Sequence, residues 1–321
     1  MLRKLVATAA AVTLFGALTA CGSGGSSGSA DDTIVMGFAQ VGAESGWRTA
    51  NTKSVQEAAE RAGIELKFSD AQQKQENQIK AIRSFVQQRV DVIAFSPVVE
   101  TGWDTVLLEA KRAGIPVILT DRSIDSDDES LYATFLGSDF VEEGRKAGEW
   151  LVEETEGESR VNVVELEGTT GAAPAIDRHT GFVEAIEGTN IEIIASQTGD
   201  FTRSGGKQVM EAFLKAHDDI DVVYAHNDDM GLGAIEAIQA AGKKPGEDIK
   251  IITVDAVKDG MQALAEGRIN FIVECNPLLG DQLMELAKKV VAGEEVPHRV
   301  VVEETTFTQE QAAEALPDRK Y

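Results

Sequence analysis

Cysteine is almost missing from this chain: Cys21 and Cys275 are the only two among 321 residues. Two thiols close one bridge at most, so stability has to come from a buried core, for which 43% apolar residues suffice. Basic residues are also short, 30 against 54 acidic, for a formal charge of −24. Nucleic acid and anionic lipid would both repel such a chain, which excludes them as partners and leaves a neutral or cationic small ligand. Histidine is sparse: His179, His217, His226 and His298 show neither H-E-x-x-H nor a paired spacing, so no metal site is expected. Phosphate-binding loops are incomplete. Gly231-Leu232-Gly233 is followed by Glu236 where a dinucleotide loop needs Gly or Ala. Gly205-Gly206-Lys207 has Phe201 five residues before Gly206 and Gln208 after the lysine. No G-x-S-x-G elbow occurs either. No cofactor is therefore expected.

What is present begins with an address. Arg3 and Lys4 precede an uncharged run, Leu5 to Ala20, too short for a comfortable membrane span and suited to a signal peptide over residues 1–20. Leu18-Thr19-Ala20-Cys21 resembles the lipobox of bacterial lipoproteins. That resemblance implies a diacylated Cys21 at the head of the mature chain, each buried acyl CH2 contributing about 0.8 kcal/mol to anchoring. Cys275 is then left without a partner, and the loss of Arg3 and Lys4 makes the mature chain about two charges more negative. Residues 21–32 are Gly- and Ser-rich and have no apolar residue before Ala30, as expected of a flexible tether. About 300 residues remain, enough for two domains.

From Thr33 short apolar runs alternate with amphipathic stretches. Strands are expected at 33–39, 64–69, 90–96, 115–120 and 133–137, then at 160–168, 191–197, 221–227, 249–255 and 270–275. In 74–88, Ile79, Ile82, Phe85 and Val86 share a helical face. Asp139 and Glu142 have capping-box spacing for a helix near 140–154, and further helices are expected at 175–187, 203–216, 229–241 and 257–266, with a last one marked by Leu279, Leu283, Leu286 and Val290. Repeated β-α units with buried strands give parallel sheets covered by helices, and the restarted rhythm gives two lobes.

Ligands of open α/β sheets sit beyond the carboxyl ends of strands. The residues there share a chemistry: Ser45, Trp47 and Arg48, then Asp121 and Arg122, then Asp177 and Arg178, Phe201, Asn227, Asp255 and Glu274. Carboxylates and amides take protons from hydroxyls, guanidinium donates to their oxygens, and aromatic rings cover C–H faces, so the mixture suits a sugar. Asp228 and Asp229, beside a helix start, read instead as N-caps. Two carboxylates such as Asp121 and Asp255 could also serve a glycosidase, but Arg122 and Arg178 should hold nearby carboxylates ionised, which disfavours a general acid.

The stretches "QVGAESGWR", "SDAQQKQENQIKAIRSFV", "PVVETGW", "DRSID", "AIDRHTGF", "SQTGDFTRSGGKQVME" and "VYAHNDDMGLGAI" carry a resemblance. Over nearly all of 33–320 the chain resembles the periplasmic sugar-binding proteins of the ribose-binding type, receptors of ABC importers, and within them the galactofuranose-binding members. The resemblance implies two lobes, each a parallel-sheet α/β sandwich, joined by three crossings that form a hinge: 31–138 plus 275–298, and 139–274 plus 299–321. It implies ligand roles for Trp47, Arg48, Asp121, Arg122, Arg178, Phe201, Asn227, Asp255 and Glu274. Ser45 stands where ribose receptors often carry Asn, and Asp177 is a possible further acceptor. Val254-Asp255-Ala256 departs from the family, which usually has Gly after the Asp; if that backbone needs a positive φ, alanine is strained there. The implied partners are a monosaccharide, a permease and its ATPase subunits, for a monomeric receptor outside the cytoplasmic membrane. A sensor lobe serving a chemoreceptor or kinase would have the same architecture. No helix-turn-helix precedes Thr33, which disfavours a transcriptional regulator.

Overall fold

The computed structural model describes residues 33–321. The expected signal peptide, tether and lipidated Cys21 lie outside them. The first lobe starts with β1 (Val35–Gln40), α1 (Gly46–Ala62), β2 (Glu65–Asp70), α2 (Gln75–Gln88), β3 (Val92–Phe95), α3 (Asp104–Arg112), β4 (Val117–Thr120) and β5 (Thr134–Gly137). The chain crosses to a second lobe of α4 (Phe140–Glu154), β6 (Val161–Glu167), α5 (Ala173–Ile186), β7 (Ile191–Thr198), α6 (Arg203–Ala216), β8 (Val222–Ala225), α7 (Asp228–Ala240), β9 (Lys250–Asp255), α8 (Lys258–Ala265) and β10 (Phe271–Glu274). It returns for α9 (Gly280–Val291) and β11 (Arg299–Val301), then crosses again to β12 (Thr306–Phe307) and α10 (Gln309–Ala315).

Each lobe holds a six-stranded sheet, ordered β11-β5-β4-β3-β1-β2 and β12-β10-β9-β8-β6-β7. Pairing is parallel throughout except between β10 and β12. Central strands are buried on both faces, which is why they read as continuous apolar runs. One core lies on each side of each sheet: Ile82, Phe95 and Leu107 on one face of the first, Phe38, Val55 and Leu283 on the other. On α2, Ile82 and Phe85 are buried as the periodicity requires, while Ile79 and Val86 sit half-buried at the margin.

The structure moves one boundary. The tail from residue 299 was expected to join the second lobe, but β11 pairs with β5 and extends the first sheet. The third crossing therefore falls after Val302, whose N–H still bonds to Gly137 O at 3.0 Å. Asp139 caps α4, accepting from Glu142 N at 3.2 Å. Only half of the capping box forms, because Glu142 Oε2 turns to Arg145 Nη1 at 2.5 Å. Asn227, not Asp228 or Asp229, caps α7, accepting from Met230 N at 3.0 Å. Asp228 is buried and accepts from Thr253 Oγ1 at 2.5 Å and Val257 N at 2.8 Å. Asp229 reaches across to the first lobe, where Gly46 N donates to its Oδ2 at 2.7 Å. Glu100 N also bonds to Gly171 O, at 2.9 Å. These two separated hydrogen bonds join the lobes, and the strand ends face each other across the space between.

Candidate functional site

A cavity lies between the lobes, tightly enclosed by their side chains, with about 290 Å³ of non-atom space when its opening to solvent is included. Glu44, Ser45, Trp47, Arg48, Asp121 and Arg122 line it from the first lobe. Phe140, Pro174, Arg178, Phe201, Asn227, Asp255 and Cys275 complete it from the second lobe and the second crossing.

The loop after β1 ends at Ser45, whose side chain caps α1 through Arg48 N at 3.1 Å. The next turn of helix then aims Trp47 and Arg48 inward. Trp47 Nε1 donates to Cys275 O at 2.6 Å, which fixes the ring against the second crossing. Arg48 is held on three sides: Nη2 to Asp121 Oδ2 at 2.6 Å, Nε to Glu44 Oε1 at 3.0 Å, and Nη1 to Gln40 Oε1 at 3.2 Å. Burial pulls the Arg48 pKa down, but Asp121 and Glu44 outweigh it and raise the value further. Burial pushes Glu44 up, and Arg48 and Arg122 outweigh that to hold it ionised. Arg122 is anchored by Nη1 to Val98 O at 3.2 Å, and its guanidinium sits 5.2 Å from the Phe201 ring centroid. Burial and then Arg48 lower its pKa to about 10, still cationic at neutral pH.

Across the cavity, Arg178 Nε donates to Glu143 Oε2 at 2.7 Å and Nη1 to His226 O at 2.5 Å, with the Phe140 ring 5.1 Å from the guanidinium. This pairing depends on close contact of α4 with α5: a Cβ on Gly144 would stand 2.1 Å from Arg178 O. Burial works against the Arg178 charge, yet Glu143 leads the groups that raise its pKa. Asn227 Nδ2 donates to Phe201 O at 3.1 Å, tying the loop after β7 to the start of α7.

Four positions here hold left-handed backbone without being glycine: Asp121 at φ 65°, Phe201 at 60°, Asp255 at 121° and Ala256 at 64°. Such conformations cost about 1–3 kcal/mol each and gather at functional sites. The strain expected at Ala256 is therefore present. Burial, then Asp228, pushes the Asp255 carboxyl well above the usual range. Desolvation there works against the ionised form, and Arg178 works for it.

Ser45, Trp47, Arg48, Asp121, Arg122, Arg178, Phe201, Asn227 and Asp255 thus meet around one cavity. Asp177 and Glu274 do not line it. Neighbours on a helix point about 100° apart, so with Arg178 facing inward Asp177 turns toward the rim, where burial and then Asp139 raise its pKa. Successive residues at a strand end face opposite sides, so Cys275 lines the cavity and Glu274 turns away. Glu274 Oε1 instead accepts from Arg319 Nη1 at 2.8 Å and Tyr321 Oη at 2.9 Å, anchoring the C-terminal residues. Glu44, Phe140, Pro174 and Cys275 are the lining residues that sequence reasoning passed over. The Glu44–Arg48 spacing of an i,i+4 pair was the one available signal.

The arrangement suits an uncharged polyol. Glu44 Oε2, Arg122 Nε and Asp255 Oδ2 are buried and lack a hydrogen-bond partner among the described residues. They offer both donors and acceptors, and leaving such groups unsatisfied costs about 1–3 kcal/mol each. Trp47, Phe140 and Phe201 supply rings around them.

Residues 36–295 match the model of the periplasmic binding protein domain family. The chain is 50% identical over 292 residues to the galactofuranose-binding protein YtfQ of Escherichia coli (strain K12), covering 89% of this chain and 92% of that one. A Mycobacterium smegmatis protein solved in complex with β-D-fucofuranose is 67% identical with a TM-score of 0.89, covering 90% of this chain and 96% of that one. The binding component of the arabinose ABC transporter from Shewanella sp. ANA-3, bound to α- and β-L-arabinofuranose, is 49% identical with a TM-score of 0.86, covering 89% of this chain and 96% of that one.

Proposed function

The chain belongs to the periplasmic binding protein family and is the substrate-binding component of an ABC sugar importer, working outside the cytoplasmic membrane with a permease and its ATPase; we propose that its cavity takes one monosaccharide in the furanose form, galactofuranose or a close relative. Its work is binding, and the glycosidase alternative is set aside. The observation that carries the sugar reading is the set of polar atoms on Glu44, Arg122 and Asp255 that lack a partner among the described residues, inside a ring of aromatic side chains. Furanose sugars bound to proteins 67% and 49% identical to this chain support the ring form.

In this reading Arg48, Asp121, Arg122, Arg178, Asn227 and Asp255 bond to hydroxyls, Trp47 and Phe201 cover the sugar faces, and Ser45 holds the turn that positions Trp47. The three crossings act as the hinge. Sugar favours the closed form because only there do both lobes touch it, and the permease recognises that form. Acylation of Cys21 keeps the receptor at the membrane.

The test is a thermal-shift panel of free galactose, arabinose, fucose, ribose and glucose, with methyl galactofuranoside and methyl galactopyranoside as ring-locked probes. Ligand at 100 times its Kd stabilises by about 2.7 kcal/mol, a shift of roughly 4–5 °C in a protein of this size. Galactose and the furanoside should shift the melt and the pyranoside should not. A pyranoside shift equal to that of free galactose would reject the furanose form.

A further inference from the structure

The three crossings converge on one side chain that does not line the cavity. Glu304 stands on the third crossing. Its Oε1 accepts from Ser138 Oγ on the first at 2.6 Å and from Asn276 N on the second at 2.8 Å. Its carboxyl also faces that of Glu143 on α4, with an oxygen of one within 4.8 Å of an oxygen of the other. Glu143 is 1% exposed. Its Oε2 accepts from Arg178 Nε at 2.7 Å, while its Oε1 has no hydrogen-bond partner among the described residues.

Two carboxyls this close do not both ionise when, among the described residues, one guanidinium is the only cation bonded to either. The charges around them are few. Arg178 faces the pair from α5 through Glu143. Lys146, also on α4, bonds Nζ to the Glu304 backbone carbonyl at 3.2 Å. Cys275 Sγ lies 3.5 Å from Ser138 Oγ, and burial, then Glu143, keeps its thiol neutral. A proton on Glu304 therefore gives Glu143 Oε1 the donor it lacks. Burial and then the Glu143 charge raise Glu304 to about 9, so the proton stays at neutral pH.

We propose that Glu304 is a positioning residue: it carries a proton at the junction of the three crossings, donates it to Glu143, and through Glu143 sets the orientation of Arg178 at the sugar. The step adds one solvent proton to one carboxylate oxygen and changes no other bond. It rests on the sugar-binding reading only where Arg178 acts on ligand; the proton itself is a property of the ligand-free protein. The folded value lies above the ordinary carboxylate range, so the contribution to stability is full below about pH 4 and is lost as pH rises toward about 9.

The experiment compares the wild-type protein with Glu304→Gln, whose amide keeps an acceptor and donates permanently. Without sugar, the wild-type melting temperature should fall relative to the variant between pH 5 and 9; parallel curves would overturn the proposal. With free galactose, the wild-type Kd should weaken between pH 8 and 10 by up to about tenfold more than the variant's, the limit for one proton over one pH unit past about 9. Arg122 titrates in both proteins and cancels from the comparison. Equal weakening would remove Glu304 from the positioning of Arg178. If no sugar binds at any pH, the sugar reading fails and the ligand-free melts still decide the proton. If the variant does not fold, infrared spectra of wild-type protein carrying carbon-13 glutamate carboxyls decide it. A protonated glutamate band lost with a midpoint near pH 9 supports the proposal, and its absence at neutral pH overturns it.

Discussion

Gly168 is where the aromatic wall of the cavity can be moved without touching a polar contact. It follows β6, and an added Cβ would lie 1.9 Å from Phe201 Cζ and 2.3 and 2.4 Å from the two Cε atoms. The end of the ring rests on the glycine. Gly168 is not among the residues with left-handed backbone, so Gly168→Ala adds a methyl and nothing else. Ordinary carbon contact needs about 3.5–4.0 Å, so the ring has to retreat by roughly 1.5–2 Å. The backbone of Phe201 does not follow, because Asn227 Nδ2 holds its carbonyl at 3.1 Å. The ring swings into the space it shares with Arg122 and the cavity. Overpacking of this kind costs about 1–3 kcal/mol. If that strain falls on the closed form, galactose binding weakens about 5- to 150-fold. Calorimetric titration reads the affinity and thermal melts read the stability. Phe201→Leu in the Gly168→Ala background should recover part of the loss, with a coupling above about 0.5 kcal/mol in the double-mutant cycle. Unchanged affinity and melting in Gly168→Ala, or strictly additive effects, would refute the bracing of Phe201 on Gly168.

Arg178→Met leaves Glu143 buried beside Glu304 without its cation and should destabilise the protein by about 3–5 kcal/mol in urea unfolding; adding Glu143→Gln should restore a large part of that. Ala256→Gly relieves a φ of 64° and should stabilise by about 0.5–1 kcal/mol in the same assay, because glycine enters the left-handed region without a Cβ penalty. Glu165 is buried and accepts from His179 Nδ1 and His226 Nε2, each at 2.9 Å. Burial pushes its carboxyl up, but the two histidines outweigh that and hold it well below the ordinary range. Its stability contribution is therefore present above about pH 4 and is lost as pH falls through the lowered folded value. The melting temperature of Glu165→Gln should accordingly respond less to acid than that of the wild type below about pH 4.

Elements whose ends carry strong local chemistry were legible. The helices at 140–154 and 203–216 begin after Asp139 and Thr202, whose side chains cap them, and their bounds were read directly. The buried strands stood out as apolar runs between glycine, proline and polar residues. The edge strands did not: β11 has three residues and β12 two, too few to display any period, and the lobe boundary near 299 moved for that reason. At the site, position after a strand was a sound guide to neighbourhood but not to direction. Asp177 and Arg178 are adjacent in sequence, as are Glu274 and Cys275, and only one member of each pair lines the cavity. Glu143 was invisible because it acts from behind Arg178, as one charge among many on an amphipathic helix.

The interleaved path of the chain governs when a lobe can exist. The first sheet is completed by β11 at 299–301 and the second by β12 at 306–307. Helix α1 near the beginning packs on α9 near the end, with Gly280 N bonded to Ser54 Oγ at 3.0 Å. Neither lobe can be finished from a nascent chain that stops short of those strands, so the two become complete almost together and late in synthesis. A protein that works beyond a membrane and is made on the near side of it gains from this order. Its trailing tenth contains the last strand of each sheet, so a chain exported before that stretch is made would carry no finished lobe.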